Sequence, residues 1–191
     1  MANTIDLNGS ALNKELDAAG AITPGHLIER DGSGTVVVHS TAAARAAAMF
    51  ARENDLLGAD ITVAYASGDR VQMLMFPKGG EVNALVAASA TAIVVGDFLE
   101  SAGDGTLRLM VPVVDLGGTL GGTDDDTLND ITFNATWSSA QADEIDANLK
   151  EVQTKINALL PDAIQFPVAI ALESVDNSGG GSAVRIRVEI L

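Results

Sequence analysis

The chain has no cysteine among its 191 residues. Disulfides, thiolate metal sites and cysteine nucleophiles are thereby excluded. Basic residues are scarce: 11 Lys and Arg stand against 26 Asp and Glu, a formal charge of −15. A nucleic-acid surface needs cations to displace counterions from phosphates, and an anionic membrane surface would repel this chain. Neither partner is therefore expected. Aromatics are only 4% of residues. No apolar run is long enough to span a bilayer; the nearest, residues 84–95, is short and interrupted by Ser and Thr. The first residues, MANTIDLNGS, lack a basic segment followed by an apolar one. No signal peptide is expected, and synthesis in the cytoplasm without export is.

What is present is ample core material. Hydrophobic residues are 47% of the chain, mostly Ala, Val, Leu and Ile, which separates it from disordered acidic sequences. Residues 1–20 show no apolar period and read as an extended N-terminal arm. Residues 21–111 read as short strands separated by turns. Pro24-Gly25 precedes a strand at 26–30, Asp31-Gly32-Ser33-Gly34 is a turn, and 35–39 is a β-branched run, together a hairpin signal. Residues 42–51 are Ala-rich and helical by propensity, unless tertiary context overrides it. Strands are expected at 61–64, 70–76, 81–86, 92–95 and 106–111. Gly-Asp recurs before apolar runs, at Gly68-Asp69 and Gly96-Asp97, and Gly103-Asp104-Gly105 precedes another. Gly admits positive φ and Asp caps its own turn.

Residues 112–165 differ in kind. They hold ten acids and two bases, Lys150 and Lys155. Their first part, with Gly117-Gly118, Gly121-Gly122 and Asp124-Asp125-Asp126, has loop composition. Residues 131–137 alternate like a strand. Residues 138–160 read as a helix: Ser138 and Gln141 have capping-box spacing, and Pro161 stops it. Ile145, Leu149, Val152, Ile156 and Leu159 recur at steps of four and three with polar residues between. That narrow seam points to self-association of helices, or else to packing on the chain's own β domain. Strands close the sequence at 166–173 and 183–191. Val184, Ile186, Val188 and Ile190 share one face of the last strand, and Arg185, Arg187 and Glu189 the other. The fold expected is mainly β: a small β-barrel or sandwich domain (21–111 plus 166–191) carrying an inserted loop-strand-helix segment (112–165).

No constellation of catalytic type emerges. His26 and His39 lack ligand spacing and have no partner nearby in sequence. Asp124, Asp125, Asp126 and Asp130 lack the EF-hand pattern and its terminal Glu, so a solvated acidic loop is expected. The Gly-rich stretch has no Gly-Lys-Ser/Thr, and no G-x-S-x-G elbow occurs. Neither a metal, a cofactor nor an enzymatic activity is expected.

Several stretches, in their order, resemble one known family. They are MANTIDLNGSAL, AITPGHLIERDGSGTV, FARENDLLGADITVAYASGDRV, PKGGEVNALV, VGDFLESAGDGTL and ALESVDNSGG with RIRVEI. Together they look like the capsid decoration (cement) proteins of tailed bacteriophages and related archaeal tailed viruses. The resemblance covers residues 1–111 and 166–191; the insertion departs from it. It implies a β-barrel or tulip-like domain on the outer face of the head shell, bound to the major capsid protein and commonly a homotrimer, with neither cofactor nor catalysis. A different class of function, a head fibre or host-attachment module, is the alternative.

Overall fold

The computed structural model describes residues 4–88, 90–110 and 166–191. The chain divides into two compact units, Met1–Val111 with Gln165–Leu191, and Pro112–Ile164. The described residues belong to the first. The expected strand at 131–137, the helix at 138–160 with its seam Ile145, Leu149, Val152, Ile156 and Leu159, and the acidic loop at Asp124–Asp126 and Asp130 lie outside them.

Among the described residues eleven strands run in chain order: β1 (Asp6–Asn8), β2 (Leu12–Asp17), β3 (Ile28–Arg30), β4 (Val36–Val38), β5 (Met49–Ala51), β6 (Arg70–Met75), β7 (Glu81–Val86), β8 (Phe98–Ser101), β9 (Leu107–Leu109), β10 (Ala169–Ala171) and β11 (Val184–Ile190). The molecule is mainly β, as expected. Strands β7, β11, β10, β8 and β9 are neighbours in that order, and a parallel contact at Val86 and Leu107 joins the last to the first. The result is a closed five-stranded barrel, which leaves no open edge within the ring.

Strand alternation fills its interior. Ile186, Val188 and Ile190 of β11 are buried, as are Val82, Ala84 and Val86 of β7 and Ala169 and Ala171 of β10. Leu99 and Leu107 complete the wall, and Leu27, Phe50, Leu74 and Phe76 pack into the same core. Phe50 and Phe76 meet edge-on with ring centroids 6.1 Å apart, the geometry aromatic quadrupoles favour. A three-stranded sheet, β2-β6-β5, shares in that core and also bounds a second one. Val71 and Met73 of β6 lie in the second cluster with Ile22, Ile28, Val36 and Tyr65.

The β3–β4 hairpin forms as its turn residues dictate. The Asp31 carboxylate accepts the backbone N–H groups of Ser33 and Thr35 and both their hydroxyls.

Three expectations need correction. Residues 42–51 are not helical: they run through turns into β5, because Phe50 gains complete burial by pairing with Leu74 of β6, which outweighs alanine's propensity. Residues 61–64 form a turn leading to the bridge residue Tyr65, and 92–95 hold a single bridge at Ile93 and the start of a turn, instead of strands. Asp60 caps the first by accepting the Thr62 N–H, and Asp97 the second. Finally, the segment expected as an arm is laid along the body. β1 pairs with β7 and β2 with β6, and Ile5 and Ala18 are buried. Its missing apolar period has a plain cause. β2 is an edge strand with five of six residues exposed, so pairing holds it, not side-chain burial.

The two Gly-Asp turns are built alike. Tyr65 exchanges both backbone hydrogen bonds with Ile22, and Ile93 with Val175. In the turns that follow, Asp69 Oδ2 accepts the Ala66 N–H at 2.7 Å and Asp97 Oδ2 the Val94 N–H at 2.8 Å. Gly68 and Gly96 have φ of 90° and 94°, a region glycine enters without strain. Gly68 N–H donates to Ala18 and Ala18 N–H to Asp69; Gly96 donates to Ala171 and Ala171 to Asp97 in the same way. The strand pairs continue in register, Asp17 opposite Arg70 and Ile170 opposite Phe98.

Candidate functional site

Polar side chains inside this frame are held by partners both near and distant in sequence. His39 and Ser101, 62 positions apart, meet at 2.8 Å between Nδ1 and Oγ, and Glu29 Oε2 lies 3.8 Å from His39 Nε2. A serine, a histidine and a carboxylate in line have the composition of a hydrolytic triad. The geometry forbids that use. Ser101 is 0% exposed, and its Oγ also accepts the Gly103 N–H at 3.1 Å. No substrate carbonyl reaches it, so the trio acts as a pin between β4, β8 and the turn after β8.

His26 sits beneath the same turn. It accepts the Thr23 N–H on Nδ1 at 3.1 Å. Burial pushes its pKa down; nearby Asp104 opposes that and Arg185 adds to it. A neutral ring keeps the Nδ1 lone pair free for Thr23. A Cβ on Gly105 would lie 2.8 Å from Val38 Cβ and 3.2 Å from the His26 ring, so the turn closes over the imidazole only because residue 105 has no side chain. Neither histidine belongs to a metal cluster. Among the described residues no group of three or more His, Asp or Glu could hold a metal ion, and no helix is long and apolar enough to cross a membrane.

Arg185 of β11 reaches across the body: its Nη2 donates to the carbonyls of Pro24 at 2.8 Å and Ile61 at 2.5 Å. Glu100 is buried on β8, with Oε1 2.9 and 2.8 Å from Nε and Nη2 of Arg108 on β9. Gln72 of β6 occupies the equivalent place after the first Gly-Asp turn and is also buried. Glu100 Oε2 and Gln72 Nε2 have no hydrogen-bond partner among the described residues. With a neutral amide opposite, Arg52 turns instead to Asp55, at 2.9 Å.

Among the exposed large apolar side chains, two groups stand close in sequence. Leu56, Leu57 and Val63 lie on the loop between β5 and β6, which a short 3-10 turn, Asp55–Leu57, stiffens. Val94 and Val95 lie on the second Gly-Asp turn, beside Phe98 at the start of β8. Large apolar side chains grouped on a rigid turn are candidates for protein contact. Sequence inspection missed both groups: Val63, Val94 and Val95 fell in expected strands at 61–64 and 92–95, and nothing local marked Leu56, Leu57 or Phe98. The seam residues that inspection singled out lie outside the described residues. The chain matches no protein-family model and no curated protein.

Proposed function

We propose that this chain is a structural virion protein that binds the outer surface of a tailed-virus capsid and stabilises the head shell. Its partner on this reading is the major capsid protein, and it acts as a homotrimer through the seam from Ile145 to Leu159. One observation carries the proposal. The two stretches that resemble decoration proteins, separated by residues 112–165, join in a single barrel: β10 and β11 from the second stretch fit between β8 and β7 of the first. The family-like turn motifs also become Asp-capped turns, two of them in that barrel, at Asp97 and Asp104, and two in the sheets beside it, at Asp31 and Asp69. A closed barrel with short, capped turns is a stiff body, as a cement for a shell requires. An acidic surface suits an outer position, away from the packaged genome.

The test is co-sedimentation of the purified protein with heads assembled without it. Saturable, stoichiometric binding supports the reading. Protein that stays in the supernatant at concentrations well above those in an infected cell overturns it.

A further inference from the structure

The paired Gly-Asp turns act as an internal control. Both share the Asp-capped backbone hydrogen bonds, so the fold asks the same of that backbone in each, although the Ser67 hydroxyl donates to Ala19 in the first and Ser174 accepts the Val95 N–H in the second. The first turn meets that demand with Ala66 and Ser67, the second with Val94 and Val95. After the first turn, Arg70 stands opposite Asp17 and pairs with it at 3.3 Å. After the second, Phe98 stands opposite Ile170. Inward positions are apolar in both copies, Leu16 and Val71 against Ala169 and Leu99. The outward positions differ: a solvated ion pair in one copy, an aromatic–aliphatic pair in the other. Folding thus does not require apolar groups there, yet Val94, Val95 and Phe98 are 56%, 62% and 45% exposed.

We infer that Val94, Val95, Phe98 and Ile170 form the surface that this barrel sets against its protein partner, and that the partner offers an apolar seat with a basic rim. The rim follows from charge. Ser174 accepts the Val95 N–H at 3.1 Å, which brings the loop after β10 against the turn, and that loop exposes Glu173 and Asp176. A second copy is a poor occupant. Whether the rim meets itself in a two-fold pair or another patch of the copy in a ring, a chain of −15 sets acids against acids. On the reading proposed above, on which this inference rests, the occupant is the shell protein.

The experiment measures affinity of the full chain for heads assembled without it, for the wild type, Val95→Asp, Phe98→Glu, Glu173→Lys and, as control at the equivalent turn, Ser67→Asp. Circular dichroism and melting report folding. Val95→Asp lies on an exposed turn, so it keeps the test open if Phe98→Glu fails to fold. The expected result is a loss of about thirtyfold for Val95→Asp and Phe98→Glu, about tenfold for Glu173→Lys, and none for Ser67→Asp. If the wild type binds and the folded Val95→Asp binds as tightly, the inference falls and the cement reading stands. A wild type that does not bind heads removes both. If Val95→Asp instead lowers the solution mass by light scattering, the face is a contact between copies, which also overturns the assignment.

Discussion

Glu53, in the loop after β5, fastens the start of the chain: its Oε2 accepts the backbone N–H of Ile5 at 3.0 Å, 48 positions away. Its other oxygen accepts the Thr4 hydroxyl. The carboxylate is buried, and Ile5 beneath it belongs to the barrel core. Glu53→Ala is expected to cost about 2–3 kcal/mol in denaturant unfolding, the scale of hydrogen bonds to a charged group. Removal of residues 1–20 is expected to be worse. It strips β2 from β6 and β1 from β7, uncovering buried strand edges, so the truncated chain should lose its cooperative melt.

The turn after β8 offers a second test. Gly105 has φ of 81° and no room for a Cβ against Val38. Gly105→Ala should destabilise by about 1–3 kcal/mol, combining backbone strain with overpacking. Ser101→Ala leaves His39 Nδ1 and the Gly103 N–H without their shared partner. It should cost about 1–3 kcal/mol and leave the far-UV spectrum unchanged.

Acid should reveal the capped turns. Hydrogen bonds from Thr35 and then Ser33 pull the Asp31 carboxyl down to about 2 from 3.8, and the Ser178 hydroxyl and N–H lower Asp176 likewise. A depressed folded pKa contributes stability that is present above the unfolded value and lost as pH falls through the folded one. Asp31→Ala is therefore expected to melt lower than wild type at pH 7, with the gap narrowing below pH 3.8 and closing near 2. A gap independent of pH across that range would place its origin outside the carboxylate.

The insertion gives a fourth test. Met110 follows β9 and Phe166 precedes β10, and both strands pair with β8. Replacing residues 112–165 with a Gly-Ser linker is expected to leave a folded barrel, because its two ends belong to one ring. Light scattering should show the full chain as a trimer and the linker variant as a monomer, since the apolar seam goes with the insertion. Affinity for heads should then fall through lost avidity, by about a hundredfold or more.

How much of this was legible depended on where side chains point. In β11 the alternation of Val184, Ile186, Val188 and Ile190 with Arg185, Arg187 and Glu189 gave the buried face directly, and the 81–86 strand has the bounds read for it. Asp31 and the Gly-Asp pairs marked turns because their chemistry is local. Residues 12–17 hid their strand because an edge strand needs only a partner. The segment before β5 looked helical because Phe50's burial against a distant sheet is invisible in a local window. The meeting of His39 with Ser101 and the equivalence of Phe98 with Arg70 depend on register between strands far apart in sequence. The recurrence of Gly-Asp was visible; that one copy had become apolar on its outer side was visible only once the registers were known.

The central claim is that this barrel cements a capsid from outside, and electron microscopy of heads mixed with the protein addresses it most directly. Regular added density on the outer surface, at symmetry-related positions and fitting a small barrel, is the result expected. A bare outer surface at saturating protein, or density inside the shell, would contradict the account.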